Sequence, residues 1–244
     1  MSEPPFIGIH LANAGFAVAG KAILSGITAS LTEPRIGIIG RNGSGKTTLL
    51  RLMAGLIAPS VGSVKVAGID PATDRRAMLS NIGILFQNPD HQILFPTVGE
   101  ELAFGLRQMG HPPGEATAAA RALLAAEGRS HWETAATHTL SQGQRHYLCL
   151  MAVVLMGPRI LLLDEPFAGL DVPTQTRLAR KLQALPQQII TISHDPAAVA
   201  NCDRVIWLEQ GRVQGDGPAN RILDQFGVAM QTIGDVDADA DITG

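Results

Sequence analysis

The chain has 244 residues, 45% of them hydrophobic, enough to bury the core of one α/β-sized domain. Its 19 basic residues against 22 acidic ones leave a net charge of −3, which offers no electrostatic footprint for nucleic acid. Cys149 and Cys202 match no metal or redox spacing and read as buried thiols. The first residues show no signal core and no stretch approaches the apolar length of a membrane span, so any link to a membrane is expected to pass through a partner.

In chain order, Phe6 to Leu11 alternates weakly and predicts a strand. Gly26 to Leu31 predicts a second, ended by the turn Thr32-Glu33-Pro34-Arg35. The intervening Asn13-Ala14-Gly15-Phe16 reads as a connection. Phe16 is a candidate for stacking on a purine base, with ordinary packing of an isolated phenylalanine as the other reading.

Ile36-Gly37-Ile38-Ile39 predicts a buried strand, and Leu49 to Ala54 predicts a helix. Between them stands Gly40-Arg41-Asn42-Gly43-Ser44-Gly45-Lys46-Thr47-Thr48, with the spacing of a phosphate-binding loop. Gly40, Gly43 and Gly45 let the backbone curl so that amides, with Asn42 and Ser44 between them, face one anion. A helix starting near Gly45 adds its unpaired N–H groups and positive dipole end. Lys46 supplies a cation for the outer phosphates, the Thr47 hydroxyl is placed to ligate Mg²⁺, and Thr48 completes the run. This pattern predicts binding of a nucleoside triphosphate.

Gly55 ends the helix, and Val61 to Val66 predicts an edge strand. Ile82 to Phe86 predicts a buried strand ending at Gln87, whose amide is a candidate Mg²⁺ ligand or water-orienting group. Val98, Leu102, Leu106 and Met109 recur at helical spacing, and the alanine-rich Glu115 to Ala126 predicts another helix. This stretch, about residues 88–156, reads as a helical subdomain inserted between strands and acting as a contact surface.

Leu140-Ser141-Gln142-Gly143-Gln144-Arg145 opens the next helix, with Ser141 as N-cap. That helix is apolar most of the way round and so predicted to be buried. Its polar head, Ser141, Gly143 and Gln144, is a second candidate anion-binding end, or an ordinary capped helix. Ile160 to Leu163 predicts a central strand with Asp164 and Glu165 at its carboxyl end, where open α/β sheets bind ligands. Asp164 is the candidate Mg²⁺ ligand, and Glu165 the candidate acceptor of a proton from attacking water. Ala168-Gly169-Leu170-Asp171 predicts a turn before a helix. Gln188 to Ser193 predicts a buried strand that delivers His194 to a γ-phosphate oxygen. Arg204 to Glu209 and Arg212 to Gln214 predict a hairpin, and from Gly227 the alternating aspartates read as a frayed acidic tail.

Together, and in this order, the motifs resemble those of the ATP-binding-cassette (ABC) ATPases over about residues 6–226. Gly40 to Thr48 resembles the Walker A motif, Gln87 the Q-loop residue and Leu140 to Gln144 the family signature. Ile160 to Glu165 resembles Walker B with its catalytic glutamate, Ala168 to Asp171 the D-loop and His194 the switch histidine. One residue departs: the signature usually reads Leu-Ser-Gly-Gly-Gln, and its third position here is Gln142.

The resemblance implies a P-loop NTPase fold of α/β class, a RecA-like core with an antiparallel β-subdomain and an inserted helical subdomain. It implies ATP and Mg²⁺ as ligands, with Glu165, His194 and Lys46 catalytic. It also implies a dimer, of two copies or with a close paralogue, in which each ATP lies between one chain's phosphate-binding loop and the other's signature, with Asp171 at that junction. Phe86 to Gln92, Phe95 to Gly105 and Glu165 to Asp171 are further similar to ATPases of energy-coupling-factor (ECF) importers. Pro186-Gln187-Gln188 and Arg204 to Leu208 are most similar to the biotin-importer subtype. Such a subunit sits at the cytoplasmic face of a membrane beside a transmembrane coupling protein and a substrate-binding membrane subunit. A cobalt, nickel or other vitamin importer, or a soluble ABC ATPase, stands as the alternative.

Overall fold

The computed structural model describes residues 8–240, with side-chain surroundings to residue 233. Two sheets organise it. β1 (Ile9–Val18), β2 (Lys21–Leu31) and β4 (Val61–Val66) form an antiparallel sheet in the order β2-β1-β4. β3 (Arg35–Ile39), β5 (Ile82–Leu85), β6 (Ile160–Asp164), β7 (Gln188–Ser193), β8 (Arg204–Glu209) and β9 (Arg212–Gly217) form the main sheet. Its order is β5-β6-β7-β3-β8-β9, parallel throughout except for the β8–β9 hairpin.

The central strands are continuous apolar runs because helices cover both faces of a parallel sheet. Ile36, Ile38 and Ile39 of β3, and Ile160 to Leu163 of β6, are all 0% exposed. Burying each such side chain contributes about 1.5–3 kcal/mol. The helices are α1 (Lys46–Met53), α2 (Arg75–Asn81), α3 (Val98–Gln108), α4 (Pro113–Ala126), α5 (Gln142–Leu155), α6 (Val172–Ala184) and α7 (Ala219–Ala240).

The helical insertion has its own core. Val98, Leu102 and Leu106 on α3 meet Ala116, Ala120 and Leu124 on α4 at helical spacing, with Met109 at the edge. α5 joins this core to the sheet. Its Leu148 and Met151 face the insertion, while Cys149, Leu150 and Val153 face β5 and β6. A helix apolar most of the way round is what such a bridging position requires.

Four differences from the sequence expectation have local causes. β1 starts at Ile9, and Phe6 lies outside the described residues. Asn13 to Phe16 lies within β1 rather than in a connection; its turn signal is a bulge, with Asn13 at φ +48 and shifted pairing on both neighbours. α2 follows no apolar stripe and buries only Met78 and Asn81, but Asp74 caps it by accepting from the Ala77 N–H. Beyond Gly227, where the sequence gives no helix signal, the chain continues α7 as far as Ala240, and residues 241–244 lie outside the described residues.

Candidate functional site

Parallel register brings distant segments to one sheet edge. Ile39 of β3 stands opposite Ser193 of β7, and Asp164 of β6 opposite Ile192. The turn after β3, the Asp164-Glu165 pair and Ser193-His194 therefore leave the sheet at the same carboxyl edge, where ligands of open α/β sheets lie. Leu85 pairs with Leu163, so Gln87 emerges beside them.

The turn after β3 is built for close approach. A Cβ at Gly40 would run into the Leu208 carbonyl, and Gly45 holds φ +102 directly before α1. No side chain caps α1, so its first amides are not claimed by the chain's own cap. The Ser44 hydroxyl is buried without a partner. An orphaned donor beside uncapped amides suits an anion. The Gly211 N–H donates to the Ser44 carbonyl at 2.9 Å, bracing the loop from the β8–β9 turn.

Lys46 is 7% exposed and donates from Nζ to the carbonyls of Gly40 at 2.7 Å and Arg41 at 3.0 Å. Burial pushes its pKa down, while Glu165, Asp164 and Glu209 pull it back up. Burial pushes the Asp164 carboxyl up, and neighbouring Glu165 adds to this; the Thr47 hydrogen bond, Lys46 and Arg51 oppose it. Two buried acids thus face one buried lysine, a shortage of positive charge. The Thr47 hydroxyl, the Asp164 carboxylate and the Gln87 amide are hard oxygen donors, so the residues fit Mg²⁺.

Glu165 holds φ +49, costly for a residue with a side chain at about 1–3 kcal/mol. Its carboxylate is fully engaged. Oε1 accepts from the His194 backbone N–H at 2.9 Å and lies 2.7 Å from His194 Nδ1, and Oε2 accepts from the Ser193 hydroxyl at 2.8 Å. Asn42, Gly43, Gly45, Lys46, Thr47, Thr48, Gln87, Glu165 and His194 surround one cleft of about 370 Å³. Ile23 completes it, a residue the sequence reading passed over. Phe16 is not among the lining residues: it is half-buried, paired with Leu24 and packed on the main core.

Ser141, Gly143 and Gln144 lie elsewhere. Ser141 and Gln144 close a capping box, Gln144 Oε1 accepting from Ser141 N at 2.8 Å and Ser141 Oγ from Gln144 N at 3.3 Å. With Asp171 they border a second cleft, of about 530 Å³, between α5 and α6. Asp171 caps α6 through the Thr174 N–H at 2.9 Å, and hydrogen bonding from Thr174 holds its carboxyl below the usual range. Gln142 turns toward its own chain: a Cβ on Gly169 would lie 2.8 Å from its Nε2. Two candidate anion-binding ends are therefore present, and within one chain they border different clefts.

The family model described as ABC transporter matches residues 26–168. The chain belongs to the ABC transporter ATPases. This ABC ATPase is 48% identical over 88% of its length to the biotin transport ATP-binding protein BioM of Rhodobacter capsulatus, covering 92% of that protein. It is 36% identical over 90% of its length to BioM of Rhizobium etli, covering 98% of it. Among solved structures it resembles cbiO1 from Clostridium perfringens, described as part of the ABC transporter complex cbiONQ. The TM-score is 0.78 at 29% identity, over 93% of this chain and 94% of that one. The fold the ABC resemblance implied is thereby shown, as is an ATP-hydrolysing activity coupled to transport.

Sequence reasoning did not find Ser193. A buried polar residue at the carboxyl end of the strand, directly before His194, is the signal it carried.

Proposed function

We propose that this ATPase powers a biotin importer of the ECF type, binding MgATP between its own phosphate-binding loop and the signature helix of a second ATPase subunit. The observation that carries the dimeric part is the separation of the two anion-binding ends. The Ser44–Thr48 turn and the Ser141 helix end border different clefts, so a nucleotide in the first meets a Ser141 end only when another subunit brings one. The similarity to two biotin transport ATP-binding proteins supports the substrate.

In this assignment the loop amides, Ser44 and Lys46 hold the phosphates, and Lys46 exchanges its two carbonyl partners for phosphate oxygens. Gly40, Asn42, Gly43, Gly45 and Thr48 shape that cradle. Thr47, Asp164 and Gln87 would hold Mg²⁺, which neutralises charge developing on the phosphates when bound. Glu165 accepts a proton as water attacks the γ-phosphorus, and His194 contacts a γ-phosphate oxygen. Ser141, Gly143, Gln144 and Asp171 act across the dimer. Closure on ATP and reopening after hydrolysis is a two-state switch read by the membrane subunits. Among the described residues no helix is long and apolar enough to cross a membrane, so the membrane side is assigned to a coupling protein and a substrate-binding subunit.

The test is co-expression with the membrane subunits, purification of the complex and measurement of biotin uptake into vesicles containing it. ATP-dependent biotin uptake is expected. ATP-dependent uptake of another vitamin or of cobalt or nickel, with none for biotin, would replace the substrate. Recovery of soluble partners alone would remove the importer.

A further inference from the structure

We infer that Ser193 is a positioning residue for hydrolysis, fixing the Glu165 carboxylate in the nucleotide cleft. The inference rests on Glu165 acting as the proton acceptor. Three observations build it. First, β6 and β7 are neighbours in parallel register, with Asp164 opposite Ile192, so Glu165 and Ser193 each extend one residue beyond that pair. The Glu165 N–H also donates to the Ile192 carbonyl at 2.9 Å, which locks the backbone that holds the strained φ.

Second, the direction of the side-chain bond is forced. Ser193 Oγ accepts from the Asp195 N–H at 3.0 Å and lies 2.8 Å from Glu165 Oε2. A hydroxyl carries one proton, and the carboxylate can only accept, so that proton goes to Glu165. The Asp195 amide in turn holds the hydroxyl in place.

Third, the two groups flanking the carboxylate differ in freedom. The His194 side chain is 52% exposed and lines the cleft, so its ring can leave Oε1 for a phosphate oxygen. Ser193 is 2% exposed and packed at the sheet edge. When the His194 ring moves to the nucleotide, Oε1 keeps only the His194 backbone N–H. The Ser193 hydroxyl is then the side-chain tether that stops the carboxylate from rotating away from the attacking water. Loss of that tether lowers the chance of a productive geometry without touching the phosphates, so it acts on turnover and not on affinity.

The experiment is steady-state ATP hydrolysis by the assembled complex carrying Ser193→Ala, Ser193→Thr, Glu165→Gln, or Ser193→Ala with Glu165→Gln. Ser193→Ala is expected to lower kcat about tenfold, the scale of one lost hydrogen bond to a charged group, with KM for ATP within about twofold. Ser193→Thr, which keeps the hydroxyl, restores most of kcat. In the Glu165→Gln background Ser193→Ala has little further effect, because the base it positions is gone. Equal loss in the alanine and threonine variants, or an undiminished tenfold loss on top of Glu165→Gln, would overturn the inference. The base role is read separately, from Glu165→Gln alone: near-normal turnover there would remove it, whatever Ser193→Ala does.

Discussion

The two candidate anion-binding ends differ in how complete they are. At the sheet edge part of the polar set is buried and uncommitted: Ser44 Oγ has no partner and α1 has no side-chain cap, while Lys46 is held by two carbonyls. At the head of α5 the chain's own groups are spent on each other, with Ser141 and Gln144 closing a capping box. The first end is a prebuilt receptor. The second is a stable helix start in isolation, and in the dimer proposed above it would contact a phosphate only by freeing the serine hydroxyl from that box. That difference suits a site made on one chain and completed by another, since the exposed half must survive alone.

The largest effect that would break this contrast belongs to the prebuilt end. Lys46→Ala should weaken ATP binding about 100-fold or more, by loss of a charge-assisted contact in a buried cradle. Calorimetry or a fluorescent nucleotide checks it, and unchanged affinity would mean the loop amides suffice. Glu165→Gln should cut turnover about 100-fold while leaving binding intact. It should also trap an ATP-bound dimer on size exclusion, and a monomer there would separate binding from closure.

Ser141→Ala probes the other end and should split two properties. Losing the cap costs about 1 kcal/mol of stability and about 2–4 °C in Tm. ATP binding to the isolated chain should be unchanged, since Ser141 borders a different cleft, whereas hydrolysis should fall. A loss of monomer affinity would place Ser141 in its own chain's site. Gln142→Gly should have the smallest effect, within about twofold on turnover, the range of an exposed substitution. Its amide packs on Gly169 of its own chain, so its removal opens space locally. A large rise in turnover would make Gln142 a brake between signature and D-loop.

What was legible in the sequence follows from how each feature is encoded. β3, β6 and β7 were readable because their apolar runs are local, and the residues after them carried the chemistry at the expected strand ends. α2 was not, because a cap and one buried methionine leave no periodic stripe. The bulge in β1 was read as a connection because Asn13 with φ +48 and Gly15 carry the same local signal in either setting. Beyond Gly227 the alternating aspartates hid a helix that runs to Ala240. The roles proposed for Glu165 and His194 were readable from position, but the Ser193 bond to Glu165 spans 28 residues and depends on the register of β6 on β7. No local pattern encodes register between two buried strands.

The most direct test of the two-chain site mixes two damaged subunits. A chain carrying Lys46→Ala and a chain carrying Ser141→Ala are each purified, combined with ATP and assayed for hydrolysis. In a mixed pair one composite site carries both lesions and the other carries neither, so the mixture should hydrolyse ATP well above either variant alone. A mixture no more active than the average of its parts would show that Lys46 and Ser141 serve the same chain's nucleotide, and the account of a site shared between subunits would be wrong.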